Sequence, residues 1–163
     1  MSKLAIRPGS TQQTVYVKVY DSTSSSGAGL TGLSFNSVSL TAYYVRVAGS
    51  ATVITLATQT PTGAWSSGGF CEVDGTNLPG IYRLDLPDAV PASGVRSAVV
   101  QLKGAANMVP VELEIDLHAE VDVVQWKGTT AATTDTTGYP VVTVKHGTGT
   151  GEINLNSGVA DAN

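Results

Sequence analysis

The sequence predicts an all-β fold, an antiparallel β-sandwich, and three observations carry that expectation. Charged residues make up 13% of the 163 residues, against roughly 25% in an ordinary soluble domain. Gly, Ser, Thr, Ala and Val crowd the text instead, the profile of short β-branched strands joined by small polar turns; a helical chain needs far more Glu, Lys, Leu and Arg. Apolar residues also recur at every second position in several segments, and no amphipathic run of helical length and period appears.

The pattern starts at residues 13–20 (QTVYVKVY), where Val15, Val17 and Val19 share one face and Tyr16, Lys18 and Tyr20 the other. That is a strand with one buried side. Residues 21–34 (DSTSSSGAGLTGLS) read as a flexible loop, since Gly and Ser impose no period. Strands follow at 38–47 (VSLTAYYVRV) and 52–57 (TVITLA), with Gly49-Ser50 as the hairpin turn. Adjacent Tyr43 and Tyr44 must point to opposite sides, so at most one of them enters the core.

After the GAWSSGGF stretch with Trp65, a short strand is expected at 70–73 (FCEV). Residues 80–86 (GIYRLDL) form the next, started by Pro79-Gly80 and stopped by Pro87, and 87–94 (PDAVPASG) makes one short turn at most. The last pair, 95–102 (VRSAVVQL) and 109–117 (VPVELEIDL), is a hairpin closed by KGAANM. Val109, Val111, Leu113, Ile115 and Leu117 alternate with Pro110, Glu112, Glu114 and Asp116. Pro110 cannot donate to a ladder, which places it at an edge or a strand start.

About seven strands with short polar connections, over about 105 residues, indicate a sandwich of immunoglobulin type. The single Cys71 excludes an internal disulfide, so the fold must rest on packing. The sandwich is assigned to residues 13–118, preceded by an extended N-terminal arm (1–12) and followed by a strand-rich, Thr/Gly-rich tail (119–163). Strand-like fragments at 121–125, 140–145 and 152–155 stand between Thr/Ala/Gly spacers there, with too little apolar surface to fold alone. An arm of that kind needs support from sister subunits or a neighbouring protein.

The net charge is −4 and Lys and Arg are scattered, so no basic stripe is available for phosphates and nucleic acid is not an expected partner. No apolar run of 18 residues suggests a membrane span. The start MSKLAIRPGS lacks the apolar stretch of a signal peptide, which favours synthesis in the cytosol.

Little in the sequence points to catalysis. His118 and His146 belong to no metal-spaced set, no Cys cluster accompanies them, and Cys71 has no evident adjacent base. Asp74, Asp85 and Asp88, with Glu112, Glu114 and Asp116, are the carboxylates from which a glycosidase pair could be drawn. Such a pair must converge at ~5 Å across a cleft, whereas the alternating set projects from one strand face and Asp85 and Asp88 flank a turn. HGTGTGE lacks the Lys-Ser/Thr ending and the helix of a phosphate cradle. No catalytic residue, cofactor or metal is therefore expected, and the chain is not expected to be an enzyme. The aromatics suit a core, a subunit contact or a sugar platform. The interface candidates are Trp126, Tyr139, Val121, Val123, Tyr43 and Tyr16, with Trp126 the leading anchor against a partner chain.

The stretches GLTGLSFNSVSLTAYYVR, ITLATQTPTGAWSSGGFCEVDGTNLPGIYRLDLPD and VVQLKGAANMVPVELEIDL resemble a recurring module of phage and prophage structural proteins. The following DVVQWKGTTAATTDTTGYPVVTVKH resembles the spacer after this module in longer fibre-like proteins, and the likeness covers roughly residues 12–146. The arrangement is similar to the immunoglobulin-like N-terminal domains of phage baseplate upper proteins and to β-sandwich decoration proteins of tailed-phage heads. The resemblance implies a trimeric or otherwise repeated virion accessory subunit, a capsid decoration or cement protein. Its partners would be copies of itself and other virion proteins, such as the major capsid or tail proteins. Because the text stops at Asn163 with no receptor-binding tip, a short attached component is expected. In the expected mechanism the sandwich is the rigid body and the two arms add strands to neighbours by main-chain pairing, with many shallow contacts summed by avidity. The alternatives are a tail-fibre or baseplate adaptor, or a carbohydrate-binding module that takes host-surface glycans.

Overall fold

Strands arise where β-branched and aromatic residues alternate with small polar ones. In chain order they are β1 (Ser2–Ile6), β2 (Thr14–Lys18), β3 (Thr41–Arg46), β4 (Thr52–Ile54), β5 (Ala57–Thr58), β6 (Gly69–Glu72), β7 (Ile81–Asp85), β8 (Ser97–Lys103) and β9 (Val111–Leu117). The computed structural model describes residues 2–118, together with four two-residue strands farther along the chain. Among the described residues there is no helix.

Two sheets result, one ordered β1-β9-β8-β3-β4 and the other β2-β7-β6-β5. Both contribute to one hydrophobic cluster: Val15, Val17, Phe70, Tyr82 and Leu84 from the four-stranded sheet, and Ala42, Val100, Leu102, Leu113 and Ile115 from the five-stranded sheet. Phe70 and Tyr82 stack inside it with ring centroids 5.1 Å apart and planes 4° from parallel. Each fully buried Val, Leu, Ile or Phe stabilises the fold by roughly 1.5–3 kcal/mol. Alternation is thus the sequence trace of this core: Val15, Val17 and Val19 are buried while Tyr16 and Tyr20 are exposed. Likewise Leu113, Ile115 and Leu117 are buried while Glu112 and Asp116 face solvent.

Several expectations need correction. The ladders are not all antiparallel, because β1 pairs parallel with β9 and β5 parallel with β6. Residues 2–6, expected as part of a free arm, form the outer strand of their own sheet. Leu4 and Ile6 lie beside Ile115 and Leu117 in that register and extend an apolar row already present, which a free arm would leave exposed. The single strand expected at 52–57 is two: Thr52–Ile54 pairs with β3 and Ala57–Thr58 with β6, so the chain passes from one sheet to the other at Thr55-Leu56. The tight approach there needs a glycine. At Gly68 φ is +76°, and a Cβ would stand 2.0 Å from the Thr55 carbonyl oxygen.

Residues 21–34 are not a loose loop. Isolated bridges join Tyr20 to Gly29, Asp21 to Met108 and Ser34 to Cys71. The buried Tyr82 hydroxyl donates to the Leu30 carbonyl at 2.8 Å and accepts from the Leu33 amide at 3.1 Å. Period-two alternation cannot register such a segment, because its partners are single residues far along the chain. The turn after β3 has its positive φ of 59° at Ala48, and the Gly49 amide donates to the Arg46 carbonyl at 2.8 Å.

The chain divides into two compact units, Met1–Glu120 and Val121–Asn163. In the second, β10 (Gln125–Trp126) pairs with β11 (Thr129–Thr130) and β12 (Leu155–Asn156) with β13 (Val159–Ala160), both antiparallel. Of the fragments expected there, Gln125 and Leu155 fall in these ladders; 140–145 lies outside the described residues.

Candidate interaction surfaces

The outer face of the five-stranded sheet is built by β4, β3, β8 and β9. Tyr43 on β3 lies opposite Val53 on β4 and Gln101 on β8, and Val45 lies opposite Val99. The Lys103 ammonium sits 5.8 Å above the Tyr43 ring. A recess of about 180 Å³ opens among Tyr43, Tyr44, Val45, Ala51, Val99 and Gln101. Tyr43 is exposed while Tyr44 packs against the core, as expected for neighbours on one strand. Toward β9 the same face turns polar. Gln101 Nε2 donates to Glu112 Oε1 at 3.0 Å, and Lys3 Nζ pairs with Glu114 at 3.2 Å.

The four-stranded sheet behaves differently, because β7 is buried on both sides. Tyr82 and Leu84 enter the core, and Arg83 and Asp85, on the opposite face, are 5% and 0% exposed. Arg83 Nε donates to Asp85 Oδ1 at 2.9 Å and its NH2 group to Oδ2 at 3.0 Å. Its NH1 group donates to the carbonyls of Thr60, Pro61 and Gly63. Asp85 also accepts from Thr14 Oγ1, Gln59 Nε2 and the Ser66 amide. Burial by itself pushes the Asp85 carboxyl up, but the hydrogen bonds from Arg83, Thr14, Ser66 and Gln59 outweigh it and hold the group below its ordinary value. Every lone-pair direction of this carboxylate is engaged, so it ties down residues 59–66 and is not free as an acid or base.

A third surface lies where β2 meets the start of β9. Tyr16 and Tyr20, exposed on one side of the strand, line a recess of about 110 Å³ with Val17, Lys18, Val111, Glu112 and Leu113. Lys18 Nζ donates to the Pro79 carbonyl and sits 5.8 Å above the Tyr20 ring.

The other residues singled out from sequence are dispersed. Asp74 accepts from the Thr76 and Asn77 amides and from Asn77 Nδ2; the Asn77 side chain and those amides hold its carboxyl below the usual range. Asp88 accepts from the Gln12 amide at 2.7 Å. Cys71 lies opposite Arg83, and burial pushes its thiol up, away from nucleophilic character. His118 lies 3.6 Å from Asp116. Among the described residues no group of three or more His, Cys, Asp or Glu could hold a metal ion.

Of the interface candidates, Tyr43 and Tyr16 lie on different sheets and form no common patch. Val121, Val123 and Tyr139 lie outside the described residues, as does His146, and of Trp126 only its place in β10 is described. The Arg83–Asp85 pair escaped sequence reading as a unit. Its one signal was two opposite charges two residues apart in an otherwise apolar strand. Scans against protein-family models, curated proteins and solved structures found no match to this chain.

Proposed function

We propose that the chain is an immunoglobulin-like sandwich subunit of a tailed-phage particle, a decoration or short appendage protein that docks on a symmetric lattice. The strand order supports the architectural part of this reading. With β2, β3, β7, β8 and β9 taken as strands B, C, E, F and G, the G-F-C and B-E neighbours follow the order shared by constant- and variable-type immunoglobulin sandwiches. It departs where β1 lies beside the last strand and β5 beside β6. The phrases quoted above support the particle setting.

The observation that carries the docking role is the open face at Tyr43, Val45, Val53 and Val99. It is an apolar strip on a rigid sheet, with Tyr43 and Val53 36% and 56% exposed, of the kind that marks contact surfaces. Since β1 pairs with β9 of its own sheet, the attachments assigned to this reading are the open face and residues beyond Glu120. Light scattering on the full chain beside a chain ending at Glu120 tests it. A trimer or larger species for the full chain and a folded monomer for the shorter one is the expected result. Two folded monomers would remove self-assembly from the proposal. A second reading, saccharide binding, is favoured by Tyr16 on β2 and Tyr20 just beyond it, both exposed.

A further inference from the structure

We infer that the corner between β2 and the start of β9 is a binding site for neutral oligosaccharides, with Tyr16 and Tyr20 as its stacking surfaces. The inference deepens the saccharide-binding reading and does not depend on the particle reading. Tyr16 and Tyr20 are 61% and 46% exposed, so two large rings stand in water on one side of a strand. Four residues of extended chain set them roughly 13 Å apart, a spacing that suits the two end rings of a trisaccharide rather than adjacent ones.

The presentation is rigid. Val15, Val17 and Val19, directly behind, are 3%, 4% and 0% exposed, so the backbone cannot move without opening the core. Tyr20 is bridged to Gly29, and its carbonyl accepts from the Val109 amide at 3.0 Å. The Lys18 ammonium, held by the Pro79 carbonyl, sits 5.8 Å from the Tyr20 ring centroid over one of its faces. A pre-ordered surface of this kind avoids the entropy cost of arranging side chains on binding.

The rim supplies polarity. Glu112 lines the recess, and Gln101 Nε2 holds one of its oxygens at 3.0 Å, fixing the carboxylate as an acceptor for hydroxyl donors. β2 is the outer strand of its sheet, which leaves main-chain donors and acceptors on its free edge. Apolar faces flanked by a few fixed polar groups match a pyranose, whose C–H face stacks on an aromatic ring while its hydroxyls seek acceptors.

Charge narrows the class. Lys18 keeps its positive charge while donating to Pro79, and it lines the recess together with Glu112, so the recess carries one charge of each sign. With no net charge to draw an anionic sugar, neutral or N-acetylated sugars are the class that fits.

The test is amide-resolved NMR on the isotopically labelled full chain, titrated to about 20 mM with maltotriose, cellotriose, N-acetylchitotriose and trigalacturonic acid. At least one neutral trisaccharide should shift the amides of residues 14–20 and 111–113, with a Kd of about 1 mM or weaker. The double variant Tyr16→Ala with Tyr20→Ala, both exposed and therefore compatible with folding, should lose roughly tenfold or more in affinity. Tyr16→Phe with Tyr20→Phe should keep most of it, and Glu112→Gln should raise the response to trigalacturonic acid. No shift with any of the three neutral sugars, shifts that map elsewhere, or binding that survives the double alanine change would each overturn the proposal. Light scattering reads the particle hypothesis independently, so failure of one is not failure of the other.

Discussion

On the five-stranded sheet the outward side chains of β3, β8 and β9 meet solvent, with Tyr43, Gln101 and Glu112 among them. On the four-stranded sheet the outward side chains of β7 do not, because Gln59, Thr60, Pro61, Gly63 and Ser66 bring their polar groups down onto Arg83 and Asp85. Strand alternation marks one buried face in both sheets, but it is silent about a second cover. The difference teaches that charged residues in an outward register can become interior ones when a loop brings enough carbonyls and amides to satisfy them. A buried ion pair is weak evidence of net stability, yet losing one partner is costly because the other charge stays buried.

That comparison can be broken most directly at Asp85. Asp85→Ala should cost about 3–5 kcal/mol by leaving the Arg83 guanidinium without its carboxylate. Glu114→Ala on the open face, which loses only a largely exposed pair, should stay within about 0.5 kcal/mol. Urea denaturation of both variants decides the matter; similar small losses would mean that the covered face is no different from the open one.

The next effect is a hydroxyl deletion. Tyr82→Phe should cost about 1–3 kcal/mol, since the Leu33 amide and Leu30 carbonyl lose the group that pins residues 30–33. Hydrogen exchange should quicken in that segment and not in β8. Uniform quickening would show that the segment has no separate dependence on Tyr82.

Acid sharpens the comparison further. The Asp85 carboxyl titrates lower in the fold than at its unfolded value of about 3.9. Its contribution is therefore present above that value and is lost as pH falls through the folded one. Asp21, held low by Thr23, and Asp74, held low by Asn77, shift the same way, but both remain in an Asp85→Asn chain. Melting temperatures of the two proteins should differ at neutral pH and converge in acid; a constant gap would deny the linkage.

A small effect on stability is also expected for the apolar strip of the open face. Tyr43→Ser with Val53→Thr should change unfolding free energy by about 1 kcal/mol or less while reducing self-association in light scattering. Unchanged association would take that strip out of the interface.

Much of this molecule is legible along the chain. The rows Val15-Val17-Val19 and Leu113-Ile115-Leu117, the opposite facing of Tyr43 and Tyr44, the start of β7 after Pro79-Gly80 and its end before Pro87 all follow from local rules. Side chains alternate with period two, and Pro and Gly restrict or free the backbone where they stand. Of the candidate surfaces, Tyr16 was visible on an outward register and Tyr43 as one of two tyrosines facing opposite ways. Their separation onto different sheets was not, because period two does not say which strands pair.

Only the tertiary structure decided the rest, and for one physical reason: each feature depends on hydrogen bonds or burial supplied by residues distant in sequence. The parallel seat of β1 on β9, the passage between sheets at Thr55-Leu56 and the pinning of residues 21–34 by Tyr82 and Met108 are of this kind. So is the burial of Arg83 and Asp85, whose charges read as surface residues until Thr14, Gln59 and the carbonyls of residues 60–63 close over them. The sequence by itself determined most of the strands and which face of each is apolar; the seat of residues 2–6, the break at Thr55-Leu56, which strands meet and which outward face is covered were determined by contacts that no local pattern contains.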